Sequence, residues 1–224
     1  MNFLQLAQRL HSEAGVQGAT HTTVVAQTGL LLKLVNWIST ANDDIQNLHP
    51  KGWKFLQKAF SFDTTATEQN YTYAEAGITY LGDWKTDDVR AYSAAADECE
   101  LVYVPWDTFR LVYKMGTNRT QAGRPNVFSI MYDMSMDLWP IPDAVYTING
   151  EYWMSANTMA VADASAPLFP SQYHMAIVWR ALMLYAAKQG ADEVYAHGNN
   201  EYNKILRRLE INQLYSPTWG PPLA

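Results

Sequence analysis

Five histidines, one cysteine and a scatter of carboxylates are the side chains of this sequence with catalytic or metal-binding chemistry open to them. The histidines stand at His11, His21, His49, His174 and His197, and no two are spaced as a local metal pair. His174 opens an apolar run and could act as a ligand or base, but a satisfied histidine at a helix terminus accounts for it more simply. Cys99 could be a nucleophile, yet a lone Cys in a strand is ordinarily a small core residue. A single Cys excludes an internal disulfide and fits a reducing compartment. The run Asp133 to Asp137, "DMSMD", resembles the opening of a calcium loop. It lacks the Gly at the sixth position and the closing Glu, so it reads as a polar hairpin turn. Asp43-Asp44 and Asp87-Asp88 send neighbouring carboxylates in different directions and do not converge alone. Glu151 is the best single candidate for a catalytic carboxylate. There is no phosphate loop, no G-x-S-x-G elbow and no H-E-x-x-H. The pattern predicts no catalytic centre, metal or cofactor.

Glu151 lies in "LWPIPDAVYTINGEYW", which reads as a strand, a Pro-Asp turn and a second strand. Tyr146, Ile148, Gly150 and Tyr152 fall on one face of the second strand. Val145, Thr147, Asn149, Glu151 and Trp153 fall on the other. Aromatic residues on both faces predict that neither is plainly solvated. Trp139, Tyr152 and Trp153 would suit a sugar platform; core packing or a subunit interface has the greater physical weight. Burying one Trp removes about 150–250 Å² from water, worth roughly 4–6 kcal/mol.

The elements that would hold these residues change character along the chain. "FLQLAQRLHSEAG" predicts a short amphipathic helix with Phe3, Leu6, Ala7 and Leu10 on one face. A second, longer helix is predicted to be capped by Thr22 or Thr23, with one stripe from Leu31 through Leu34, Val35, Ile38, Ala41 and Ile45 to Leu48. Pro50 and Gly52 end it. From Lys54 the period becomes two. "FLQKAFSFDT", "WKTDDVRAYS" and "CELVYVP" read as strands, and "PWDTFRLVYKMG" as a short helix. "NVFSIMYD", "MDLWP" and "AVYTINGEYW" read as a three-strand meander. After the small-residue linker "NTMAVADASAPLFP", helices return at Ser171 and stop at Gly190. The following helix carries a seam at Val194, Gly198, Tyr202, Ile205 and Leu209.

The expected class is α+β: a helical bundle from 1–53 and 171–210, a β-rich insert over 54–170 and an extended tail over 211–224. In the bundle the two seams are expected to pair. In the tail, Pro217, Pro221 and Pro222 keep the chain extended, while Leu214, Tyr215, Trp219 and Leu223 offer apolar anchors for a neighbouring molecule.

Hydrophobic residues make up 48% and charged residues 17%, with a formal net charge of −6. That balance leans toward a protein that buries surface against partners and disfavours whole-molecule binding to nucleic acid. Lys204, Arg207 and Arg208 form the one local basic group, read as a solvated helix face. No signal peptide is visible, and "MAIVWRALMLYAA", broken by Arg180, is too short and polar to span a bilayer.

Several stretches carry a family resemblance: "MNFLQLAQRLHSEAGV", "LVNWISTANDDIQNLH", "WKFLQKAFSF", "GRPNVFSI", "LWPIPDAVYTINGEYW", "HMAIVWRALMLYAA" and "EYNKILRRLEI". In this order, over nearly the whole chain, they resemble the head–tail adaptor (connector) proteins of tailed bacteriophages. The resemblance implies a virion protein without catalysis, made in the host cytoplasm. It implies a ring beneath the portal, of about twelve copies docked head to tail, that receives the tail or a stopper protein. DNA would pass through its centre without sequence-specific binding, and no membrane is involved. On this reading Trp139, Tyr152, Trp153, Leu214, Tyr215, Trp219 and Leu223 are the candidate subunit or portal interface. A tail-tube, stopper or baseplate connector protein, or a carbohydrate-binding or hydrolytic module using Glu151, are the alternatives.

Overall fold

The computed structural model describes residues 1–215 of the 224-residue chain. The fold is α+β, with five α-helices and two mainly antiparallel sheets among the described residues. Its contacts separate two compact units: Met1–Leu56 together with the described residues from Ala156 on, and Gln57–Ser155.

The first unit is helical. α1, Phe3–Glu13, begins with a capping box: Asn2 accepts from the Gln5 backbone N–H, and the Gln5 side chain accepts from the Asn2 N–H. α2, Gly29–Asn47, starts later than the Thr22 or Thr23 cap expected from sequence, with Thr28 at its N-cap. The earlier threonine is engaged elsewhere: Thr23 Oγ1 and the Val24 N–H both donate to Asp163, which holds this segment as a loop. α4, Met175–Gln189, is apolar nearly all round because it is the central helix, packed against α1, α2 and α5, Asp192–Gln213. Gly190, in the left-handed region at φ 68°, ends α4 and lets α5 turn back along it. The two seams therefore do not pair directly as expected; each packs on α4, which has enough apolar circumference to serve both. Leu34, Ile38, Ala41 and Ile45 are fully buried, while Leu48 at the end of the expected stripe is 46% exposed. The segment after Ala156 is bonded into this unit. The Asn157 backbone exchanges hydrogen bonds with Gln46, and Thr158 Oγ1 donates to Asp43. Rings of His49, Trp53, Phe55, Phe169 and His174 form a continuous aromatic chain at its base.

The second unit holds the strands β1 (Gln57–Asp63), β2 (Asn70–Tyr71), β3 (Leu81–Tyr92), β4 (Cys99–Glu100), β5 (Val102–Tyr103), β6 (Val127–Ile130), β7 (Met136–Trp139) and β8 (Thr147–Met154), with α3, Trp106–Tyr113. One sheet has the order β1-β8-β3-β4 and the other β2-β7-β6-β5. The three-strand meander is corrected here. β6 and β7 do pair through the Asp133–Ser135 turn, but β8 leaves for the other sheet, between β1 and β3. Pro140 and Pro142 lack the N–H needed to continue a ladder beyond Trp139, so the chain departs there. Between β3 and β8 the register jumps from Lys85↔Glu151 to Arg90↔Asn149, a bulge that leaves Thr86–Val89 opposite Gly150.

Candidate functional site

The residues singled out from sequence are spread over separate surfaces. Trp139 ends β7, where its Nε1 donates to the Asn118 carbonyl at 3.0 Å and its ring lies 4.6 Å from that of Tyr113. Tyr152 faces inward from β8 and is buried; Trp153, its neighbour, is half-buried on the opposite face, across from Gln57 and Asp83. The three rings therefore share no plane, and the sugar platform they might have built is not formed. The two faces of β8 are also unlike each other. Ile148, Tyr152 and Met154 are buried. Thr147, Asn149, Glu151 and Trp153 form a mainly polar outer face, each of them half-buried, so neither face is plainly solvated. Leu214 is half-buried beside Gly52, where a Cβ would stand 3.1 Å from its Cδ2. Tyr215 is 55% exposed, with Lys54 Nζ 5.3 Å from its ring centre. Trp219 and Leu223 lie outside the described residues.

The chemical candidates have structural partners. Lys85 Nζ lies 2.6 Å from Glu151 Oε2, and Gln57 also donates to that oxygen. The Lys85 hydrogen bond, with that from Gln57, holds the Glu151 carboxyl below the ordinary range, against a smaller opposing push from burial. A general acid needs the reverse. His174 is buried with Nε2 at 2.9 Å from the Phe169 carbonyl and Nδ1 at 2.8 Å from the Met1 amine. Burial pushes its pKa down from 6.5. Cys99 is half-buried on β4. Asp133 accepts from the Ser135 N–H and hydroxyl within the β6–β7 turn, as a hairpin residue does. Asp137, fully buried, meets Lys114 Nζ at 2.5 Å and Asn70 Nδ2 at 2.8 Å, which ties α3 to the second sheet. Among the described residues no group of three or more His, Cys, Asp and Glu could hold a metal ion, and no helix is long and apolar enough to cross a membrane.

A family model described as SU10 adaptor protein matches residues 1–224, the whole chain. The chain belongs to the SU10 adaptor protein family. This is a family of phage structural adaptors and not a known class of enzyme, so the chain is a virion component by family. No curated protein matches it.

Two surfaces of this SU10-family chain were not legible in its sequence. On α3, Phe109 is buried and Tyr113, one turn further on, is half-buried. Leu111 and Val112 are 61% and 46% exposed, Met115 just beyond is 54% exposed, and Val102 and Tyr103 on the edge strand β5 are 60% and 39% exposed. The signal was available: α3 is a short helix with apolar residues all round, more than one packed face requires. The second surface is electrostatic. Gln57–Ser155 contains fourteen Asp and Glu against seven Lys and Arg, whereas the helical unit has eight against nine. The net charge of −6 is thus carried by the β unit.

Proposed function

We propose that this SU10-family adaptor stands at the head–tail junction of a tailed phage, as a ring of about twelve copies docked head to tail beneath the portal. The observation that carries this reading is the family match over the whole chain. The tail or a stopper protein would attach to the opposite side of the ring, and DNA would pass through the centre without sequence-specific contacts. A chain with net charge −6 suits a passage that must not retain DNA, because retention by phosphate contacts needs a cationic lining. We further read the helical unit as one bundle, the β-rich region as a domain inserted into it, and Trp139, Trp153, Leu214, Tyr215, Trp219 and Leu223 as contact residues between subunits or with the portal. Tyr152, being buried, would act by fixing the strand that presents Trp153. The test is cosedimentation of the purified chain with portal protein and, separately, with tail proteins. Binding to portal is expected; a protein that binds only tail components would instead be a tail-tube, stopper or baseplate connector.

A further inference from the structure

The surface beside the bulge in β3 and the outer face of α5 carry opposite charge. Across from the bulge, Gly150 has no side chain, and the edge of the Phe60 ring lies under it: a Cβ there would be 2.9 Å from Phe60 Cε1 and Cζ. That ring fills the inner side of the strand; on the outer face of the first sheet, beside the bulge, lies an open cleft of about 410 Å³ bordered by Asp88, Arg90, Glu98 and Glu151. Glu100, opposite Arg90 in the β3–β4 pairing, flanks it. Four carboxylates thus face two cations, and both cations are already engaged: Arg90 with Asp88 at 2.6 Å and Glu98 at 3.7 Å, Lys85 with Glu151 at 2.6 Å. Asp88 and Glu98, with Glu100, raise the Arg90 pKa, as neighbouring negative charge must.

Along α5, Lys204, Arg207, Arg208 and Ile211 recur at the i, i+3, i+4, i+7 spacing of one face. All four are exposed, opposite the buried Gly198, Tyr202 and Leu209. Asn200 and Asn203 widen the stripe, and with Lys204 and Arg207 they line an open groove of about 420 Å³. Lys204 is held by Glu201 at 2.5 Å, but Arg207 and Arg208 make no ion pair among the described residues. Two guanidinium groups on a firm helical base are suited to forked contacts with carboxylates.

We infer that these are the two halves of one contact between copies: the acidic cleft on the first sheet of one chain receives the Lys204–Arg207–Arg208 face of α5 from a second chain. This rests on the ring reading above and specifies which surfaces close the ring. Two different surfaces meeting in every contact give a head-to-tail interface, the type that closes into rings. A second copy is favoured over DNA as the occupant because the chain's net charge of −6 opposes a phosphate backbone, while the β unit carries a surplus of carboxylates.

The experiment is sedimentation velocity of the full chain, alone and with portal protein, for Arg207→Glu/Arg208→Glu, for Glu98→Lys/Glu100→Lys, and for the chain carrying all four reversals. Each double reversal is expected to weaken self-association by about 100-fold or more, and the fourfold variant to return to within about tenfold of wild type. A misfolded variant could not be restored by further substitution, so the rescue separates charge pairing from damage. If wild type assembles and both double variants assemble equally well, this contact is wrong and the ring stands. A fourfold variant that stays dissociated also overturns the pairing. Wild type that remains monomeric even with portal removes the ring and the contact together. Intact assembly with loss of duplex-DNA binding in Arg207→Glu/Arg208→Glu assigns the stripe to DNA instead.

Discussion

Gly150 and His174 show how single positions hold the two units. Gly150 lies in β8 with the Phe60 ring and Val89 packed over it; Phe60 is 6% and Val89 1% exposed, so neither has room to yield. Gly150→Ala is expected to cost about 1–3 kcal/mol, the usual penalty of overpacking, read as a shift in the urea midpoint. A midpoint unchanged from wild type would show that the ring can move aside. Burial pushes the His174 pKa below its ordinary 6.5. As pH falls through about 6.5 the unfolded chain binds a proton there more readily than the folded chain, so stability declines with acidification. Urea titrations at about pH 7.5 and about pH 5.5 should show that decline in wild type and a smaller one in His174→Gln. Equal declines would remove His174 as the cause. Carboxylates held at low pKa, among them Asp97 at about 2 and Glu151 below its ordinary 4.5, lose their contribution only at lower pH, outside this window.

Among the elements, the α4–α5 pair depends on Gly198, where a Cβ would stand 3.3 Å from Met183 Cγ and 3.4 Å from the Trp179 carbonyl oxygen. Gly198→Leu should separate the two helices and cost about 1–3 kcal/mol, more than Ile205→Asp, because Ile205 is only half-buried. Thermal melts of the two variants check the order, and the reverse order would mean that Ile205 carries the seam. The helices and most strands were legible because periodicity is local: the α1 face, the α2 stripe and the α5 seam each stand out within a few turns. What failed was partnership. Nothing local says that α4 lies between two seams, or that Asp163, far along the chain, takes Thr23 away from a helix cap. The aromatic run from Leu138 to Trp153 looked like a hairpin because both halves are good strands, yet the two prolines between them separate two sheets. Trp139, Tyr152 and Trp153 are adjacent in that pattern and dispersed in space, since strand neighbours face opposite ways. The acidic cleft was hidden for the same reason. Asp88, Glu98 and Glu151 meet only after a bulge and two strand pairings form.

For the molecule as a whole, a structural adaptor places its chemistry in contacts with other chains. Trp153 is half-buried on the polar outer face of β8, and the proposed ring contact makes it an anchor. Trp153→Ala should lower the melting temperature by only a few degrees while weakening self-association by tenfold or more, about 1.4 kcal/mol or greater. A large loss of thermal stability with normal assembly would make Trp153 a core residue instead. The exposed apolar face of α3 and the acid–base pair of cleft and α5 stripe are further surfaces that a ring would bury, in keeping with 48% hydrophobic and 17% charged residues. The most direct measurement of the central claim is end-on electron microscopy of the purified chain mixed with portal protein. The expected result is a closed ring with an open centre seated on one end of the portal and matching its symmetry. A chain that forms no ring on the portal, or one that forms rings bound to tail proteins alone, would contradict it.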